Sequence, residues 1–171
     1  MTLRKIGLGG GCHWCTEAVF QSLLGVAKVE QGWISARETE AFSEAIIVHY
    51  DIEILPLLVL IEIHLQTHSC TSDHSMRSKY RSAVYVYSKQ QKKEVETMLV
   101  RLQPAFEKPH ITKVLFLNEF KGNAEEYLSY YQRDPYKPFC RNVISPKLRI
   151  LLANYSSRVD HTKIRLPYRE V

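Results

Sequence analysis

The spacing of apolar and polar positions divides the chain into short segments of two periods. A strand is predicted over residues 5–8, followed by a helix over 12–23 in which Ala18, Val19, Phe20 and Leu23 keep to one side. Gly25 is placed to end that helix. Residues 26–34 and 45–50 are rich in β-branched and aromatic side chains and predict two strands, separated by a polar loop over 35–40. Pro56 opens an apolar helix reaching His64, since proline is tolerated in a first helical turn. A polar loop over 67–79 leads to a strand over 83–87. The next helix is predicted over 89–102, with Val95, Met98, Leu99 and Leu102 at core spacing. A strand over 111–117 and helices over 124–132 and 146–155 complete the pattern. Pro135 and Pro138 exclude a regular helix over 134–140. The irregular alternation of helices and strands predicts an α+β two-layer sandwich. It forms one domain over 1–155, with a polar, patternless and loosely held tail over 156–171.

Composition narrows the functional classes. A chain of 171 residues is long enough for a full core. The net charge of +5 is modest, and Lys and Arg are spread without interleaved aromatics, so nucleic-acid binding is not expected. No apolar run reaches the roughly 18 residues of a membrane span. The first residues lack the apolar stretch of a secretory signal, so the expected location is the cytoplasm.

Cysteines stand at 12, 15, 70 and 140. Structural disulfides are disfavoured in a cytoplasmic chain of this size. A zinc centre would want a second closely spaced pair, and His64, His68 and His74 around Cys70 share no helix face, so no metal is expected. Cys70 reads as a buried bystander. What remains is redox chemistry at Gly9-Gly10-Gly11-Cys12-His13-Trp14-Cys15-Thr16-Glu17. A glycine turn delivers Cys12 onto the start of a helix, where free N–H groups and the helix dipole favour thiolate over thiol. Cys12-x-x-Cys15 alone leaves dithiol chemistry and metal binding both open.

Gly10-Gly11-Cys12-His13-Trp14 followed by Glu17 resembles the Gly-Gly-Cys-Phe-Trp-x-x-Glu signature of the A-class peptide methionine sulfoxide reductases. Lys79-Tyr80-Arg81-Ser82 resembles that family's Gln-Tyr-Arg-Ser block. Ala124-Glu125-Glu126-Tyr127, with Tyr131 after it, resembles its Ala-Glu-Asp-Tyr block. Phe139-Cys140 through Val143-Ile144 and Pro146-Lys147-Leu148 resemble its C-terminal Tyr-Cys-x-x-Val-Ile-x-Pro-Lys-Leu. Ser43-Glu44-Ala45 stands where the family often has His-Ala-Glu.

The resemblance implies a ferredoxin-like plait with a mixed or antiparallel sheet and a coil-rich C-terminal segment. It implies reduction of methionine-(S)-sulfoxide, free or in proteins, through a sulfenic acid and an intramolecular disulfide. Cys12 is then the nucleophile and Glu17 the acid that protonates the sulfoxide oxygen. Tyr80 and Tyr131 are the phenols that hold the oxygen. Trp14 packs against the S-methyl group, and Glu126 positions substrate. Cys140 matches the resolving cysteine; Cys15 is the alternative, since a bond between positions i and i+3 inside a regular helical turn would be strained. No bound cofactor is implied, only an external thiol reductant, thioredoxin or dithiothreitol, and a monomer is the simplest form.

His13 departs from the family's phenylalanine and adds a polar ring that titrates near neutrality, so an altered substrate preference or pH profile is expected. Two other classes stay open: a thioredoxin-like dithiol oxidoreductase, and a binder that holds methionine sulfoxide without turning it over.

Overall fold

The computed structural model describes residues 2–166. Five strands are present: β1 (Leu3–Gly9), β2 (Val26–Ala36), β3 (Thr39–Asp51), β4 (Ala83–Val86) and β5 (Lys113–Gly122). Helices α1 (His13–Gln21), α2 (Leu57–Gln66), α3 (Lys89–Leu102), α4 (Tyr130–Arg133) and α5 (Ser145–Tyr155) are interspersed with them.

The class is mixed α and β, but the sheet does not stay open as a plait. The strands run in the order β1-β3-β2-β5-β4, and β4 pairs back onto β1, so the sheet closes into a barrel. All pairs are antiparallel except β4 and β5, which run parallel through the crossover helix α3. Period-two alternation sorts the side chains. Ile34, Ala36, Ala45, Ile47, Ala83, Tyr85 and Leu115 fill the inside. Ile6, Leu8, Ile46, Val48, Val84 and Val86 face outward into a larger core shared with α1, α2, α3 and α5. The barrel interior is narrow: a Cβ at Gly7 would stand 2.8 Å from the Cβ of Tyr85, so glycine makes room for the Tyr85 ring.

Most predicted elements form, with shifted ends. The loop expected over 35–40 shrinks to a tight turn, because β2 and β3 extend as a long hairpin in which Ala36 pairs with Thr39. The helix expected over 124–132 does not form. A 3-10 turn at Glu125–Tyr127 is followed by extended Leu128, left-handed Ser129 (φ 53°) and the single turn α4. Cys140–Ile144 is a π-helical turn leading into α5.

The tail, expected to be loose, is tied to the body as far as residue 165. Asp160 N–H donates to Ser22 O at 2.8 Å, and Leu24 N–H donates to Arg158 O at 2.8 Å. The Tyr131 hydroxyl exchanges hydrogen bonds with both the N–H and the C=O of Arg165. Residues 167–171 of the expected tail lie outside the described residues.

Candidate active site

The glycine turn after β1 delivers Cys12 to the N-cap of α1 in an extended conformation (φ −54°, ψ 131°). Its carbonyl accepts from Cys15 and Thr16 N–H at 3.0 and 3.2 Å, which fixes the start of the helix. Beneath the turn, a Cβ on Gly10 would lie 2.4 Å from the His68 ring, so only glycine lets the backbone rest on that imidazole. His68 Nε2 meets Ser82 Oγ at 2.8 Å, and His64 Nε2 donates to Gly9 O at 2.8 Å. The turn is therefore held from below by a buried histidine pair.

The Cys12 thiol is half-buried and lowered to about 5. Donation from the Cys15 thiol is the largest cause. Burial opposes it, while hydrogen bonds from His13 and from the Trp14 N–H add to it. Cys15, in turn, is pushed up strongly, because its proton is held toward the Cys12 sulfur and it is buried. Next in the chain, His13 donates its backbone N–H to Glu44 Oε2 at 2.9 Å, and its ring Nδ1 shares a short hydrogen bond with the same oxygen. Burial works against a charged His13 ring, but Cys12 and Glu44 outweigh it and raise the imidazole to about 9. Burial likewise works against an ionised Glu44. The His13 hydrogen bonds and Lys79, 3.6 Å from Oε1, overcome it and hold the carboxyl below its usual range.

Glu44 comes from β3. It lies on the same outward face as Ile46 and Val48, pairs in register with Trp33 of β2, and so points at the start of α1. One Cys12 sulfur, one His13 nitrogen and one Glu44 oxygen lie within 4.8 Å of one another. Thiolate, imidazole and carboxylate are donors of the kind zinc takes. Here an ion would have to displace the hydrogen bond between His13 and Glu44 and face Lys79, so the arrangement is that of a proton-sharing network.

An aromatic wall stands beside the thiol. The Trp14 ring stacks on Tyr130 at 4.0 Å and 7°, with Phe139 edge-on to both. Trp14 Nε1 donates to Tyr127 O at 3.1 Å. His13 lies between Trp14 and Trp33, at 6.1 and 5.9 Å.

Other residues singled out in the sequence take different places. Glu17 is 1% exposed and stands one turn along α1 from His13, whose ring its charge reaches. Its carboxyl is raised by burial and accepts from the Ser129 and Tyr130 N–H groups and from Gln31, so it anchors the segment that carries Tyr130. Tyr131 is 1% exposed, with its hydroxyl spent on Arg165; its neighbour Tyr130 faces the site instead. The left-handed turn at Ser129 rotates the chain by one position relative to the expected helix. Tyr80 lies near Glu44 through Lys79, whose ammonium sits 5.2 Å over the phenol ring and is held charged by Tyr80 first and Glu44 second. Glu126 is exposed on the 3-10 turn, where its carbonyl accepts from Arg133.

Cys140 is fully buried, its thiol pushed up by desolvation, and its charge reaches Cys15. Cys70 is buried in the loop after α2. Glu44, Trp33 and Tyr130 are the site residues the sequence reading left out. Only Glu44 had a signal, its place in Ser43-Glu44-Ala45.

A model of the family described as peptide methionine sulfoxide reductase matches residues 4–159. A peptide methionine sulfoxide reductase MsrA of Trichodesmium erythraeum is 31% identical over 175 residues, covering 92% of this chain and 99% of the relative. Among solved structures, reduced Mxr1 from Saccharomyces cerevisiae aligns with a TM-score of 0.73 at 20% identity, over 81% of this chain and 89% of the other. Mxr1 from the same yeast in complex with Trx2 aligns with a TM-score of 0.60 at 22% identity, over 73% and 83%. These two likenesses concern the fold alone. By sequence across almost its whole length, the chain belongs to the peptide methionine sulfoxide reductase family.

Proposed function

We propose that this chain reduces methionine-(S)-sulfoxide, free or in proteins, with Cys12 as nucleophile. The observation that carries the reading is a half-exposed, low-pKa thiol lying within 4.8 Å of an imidazole and a carboxylate, with the stacked Trp14 and Tyr130 rings beside it. A sulfoxide offers an electrophilic sulfur, a partly negative oxygen and an apolar methyl group, and each has a counterpart here. The thiolate attacks sulfur, the His13–Glu44 pair holds the proton the oxygen needs, and the aromatic wall suits the methyl group. Tyr80, with Lys79 over its ring, is the phenol the family resemblance assigns to the oxygen. Oxygen moves from the substrate sulfur, which is reduced, to Cys12, which becomes a sulfenic acid.

Cys15 is the better-supported partner for the next step. Cys12 stands at the N-cap, outside the regular turns of α1, so the expected strain against a Cys12–Cys15 bond is relieved. The Cys15 thiol already donates to the Cys12 sulfur. Condensation of sulfenic acid and thiol gives the disulfide and water. Cys140, close enough for its charge to act on Cys15, is placed to accept the bond by exchange in a later step.

Mxr1 of yeast forms a complex with Trx2, which supports thioredoxin as the external reductant of this chain as well. No prosthetic group enters the cycle, and a monomer acting in the cytoplasm is the simplest setting for it. The test is to incubate the protein with separated (S)- and (R)-epimers of methionine sulfoxide and dithiothreitol, then quantify methionine. Methionine from the (S)-epimer alone is expected. No methionine from either epimer sinks the reading and leaves a binder.

A further inference from the structure

Of the residues around Cys12, His13 is the one whose chemistry differs from what the sequence resemblance implies. A phenylalanine would serve only as apolar wall. This imidazole is built into a chain of three groups, each fixed by the backbone. Its own N–H pins Glu44 Oε2 at 2.9 Å, its ring Nδ1 bonds the same oxygen, and the ring reaches the Cys12 sulfur. Lys79 holds the other carboxylate oxygen. The ring is thus oriented from behind and aimed at the reacting atoms, the geometry of a general acid and base.

We infer that His13 is the proton donor of the reductive step: as imidazolium, oriented by Glu44, it protonates the sulfoxide oxygen as Cys12 attacks sulfur. The inference rests on the reading of Cys12 as nucleophile. The bookkeeping closes without an outside acid. The resting pair is Cys12 thiolate and His13 imidazolium. Attack on the sulfoxide sulfur, with transfer of the imidazolium proton to oxygen, yields methionine, Cys12 sulfenic acid and neutral His13. The substrate sulfur gains two electrons and Cys12 loses two. The Cys15 thiol then attacks the Cys12 sulfur, and its own proton leaves with the hydroxide as water. The disulfide forms, and His13 stays neutral until the thiols are restored.

The groups that face His13 are few. Cys12 adjoins it on the N-cap and Glu44 faces it from β3, with Lys79 behind Glu44 from the loop before β4; the Glu17 charge reaches it from one turn further along α1. Trp14 and Trp33 line its sides and do not titrate. The imidazole is raised to about 9 by this setting and Cys12 is lowered to about 5, so both charges coexist over the pH range between.

The test compares wild type with His13→Phe and His13→Gln, each checked for folding by circular dichroism. First-turnover methionine formation without reductant is followed from about pH 5 to 9.5, the span over which an imidazole in this setting titrates. In parallel, the pH dependence of Cys12 alkylation by iodoacetamide reports the thiolate without any sulfoxide. The expected result is a wild-type rate that stays level to about 9. Both variants should lose about a hundredfold at the alkaline end, the range of general acid catalysis, and less than about tenfold near pH 6, because removing the His13 hydrogen bonds leaves burial to raise Glu44, which can then carry a proton. Their alkylation midpoint should move upward. Variants that are uniformly slower with an unchanged profile, or equal to wild type, overturn the proton-donor role and make His13 a wall. No methionine from wild type at any pH overturns the reductase reading itself, and alkylation still reports whether the ion pair exists.

Discussion

Cys12 owes its low pKa to three donors that the fold brings to one sulfur: the Cys15 thiol, the His13 ring and the Trp14 N–H. Removing the largest of these has a definite sign. Cys15→Ala should raise the Cys12 midpoint above about 5 and slow its alkylation at pH 6, while Cys70→Ala, remote from the thiolate, should leave both unchanged. Two adjacent tyrosines separate site from scaffold. Tyr130→Ala removes the ring stacked on Trp14 at 4.0 Å and should raise KM at least about tenfold, in keeping with the roughly 1 kcal/mol of such a stack plus the lost apolar contact. Tyr131→Phe should leave kcat/KM within about twofold and instead lower stability by about 1 kcal/mol, the worth of its hydrogen bonds to Arg165. The placement of Cys12 at the start of α1 was legible in the sequence, because the glycine turn before it and the helical pattern after it are both local. Glu44 was not given a role, since its reach to Cys12 depends on a strand 31 residues away from His13.

At the scale of elements, the segment after β5 decides which side chains meet substrate. Periodicity over 124–132 suggests a helix, with Tyr127 and Tyr131 one turn apart. The real segment breaks at Ser129, because Glu17 captures the N–H groups of Ser129 and Tyr130, which a helix would have spent on its own carbonyls. A tertiary hydrogen bond overrode local propensity, and no window of sequence contains both partners. Glu17→Ala should therefore loosen this segment and leave buried N–H groups unpaired, costing about 1–3 kcal/mol. Activity would fall through a raised KM, with the Cys12 alkylation profile preserved. Loss of the alkylation profile instead would place Glu17 at the thiol. Helix α3 was read correctly to the residue, since its amphipathic pattern and its Ser88 cap, whose hydroxyl accepts from Gln91 N–H, are both local.

For the whole molecule, closure of the sheet is what the sequence conceals. The strands are individually visible, but the pairing of β4 with β1 joins residues more than 70 positions apart and follows from packing of α3 and α2 on the outer face. Closure also buries the histidine pair under the glycine turn. His64 is lowered to about 4, by burial first, and its Nδ1 has no hydrogen-bond partner. The unfolded chain takes up this proton near 6.5 and the folded chain only near 4, so the unfolded state gains protons first as the solution is acidified. The stability contributed by neutral His64 is complete above 6.5 and is lost as pH falls toward 4, by about 3 kcal/mol in total. His68 shifts in the same direction. Urea midpoints measured from pH 7 to 4 should decline over this window, and His64→Gln should flatten the decline.

The claim on which the rest depends is that Cys12 takes the oxygen. The most direct measurement uses protein in which Cys15, Cys70 and Cys140 are replaced by serine, incubated with methionine-(S)-sulfoxide and dimedone and without reductant. One methionine per chain, with the dimedone adduct mapped by mass spectrometry to Cys12, is the predicted result. Methionine released with Cys12 unmodified, or the same yield after a further Cys12→Ser replacement, would contradict it.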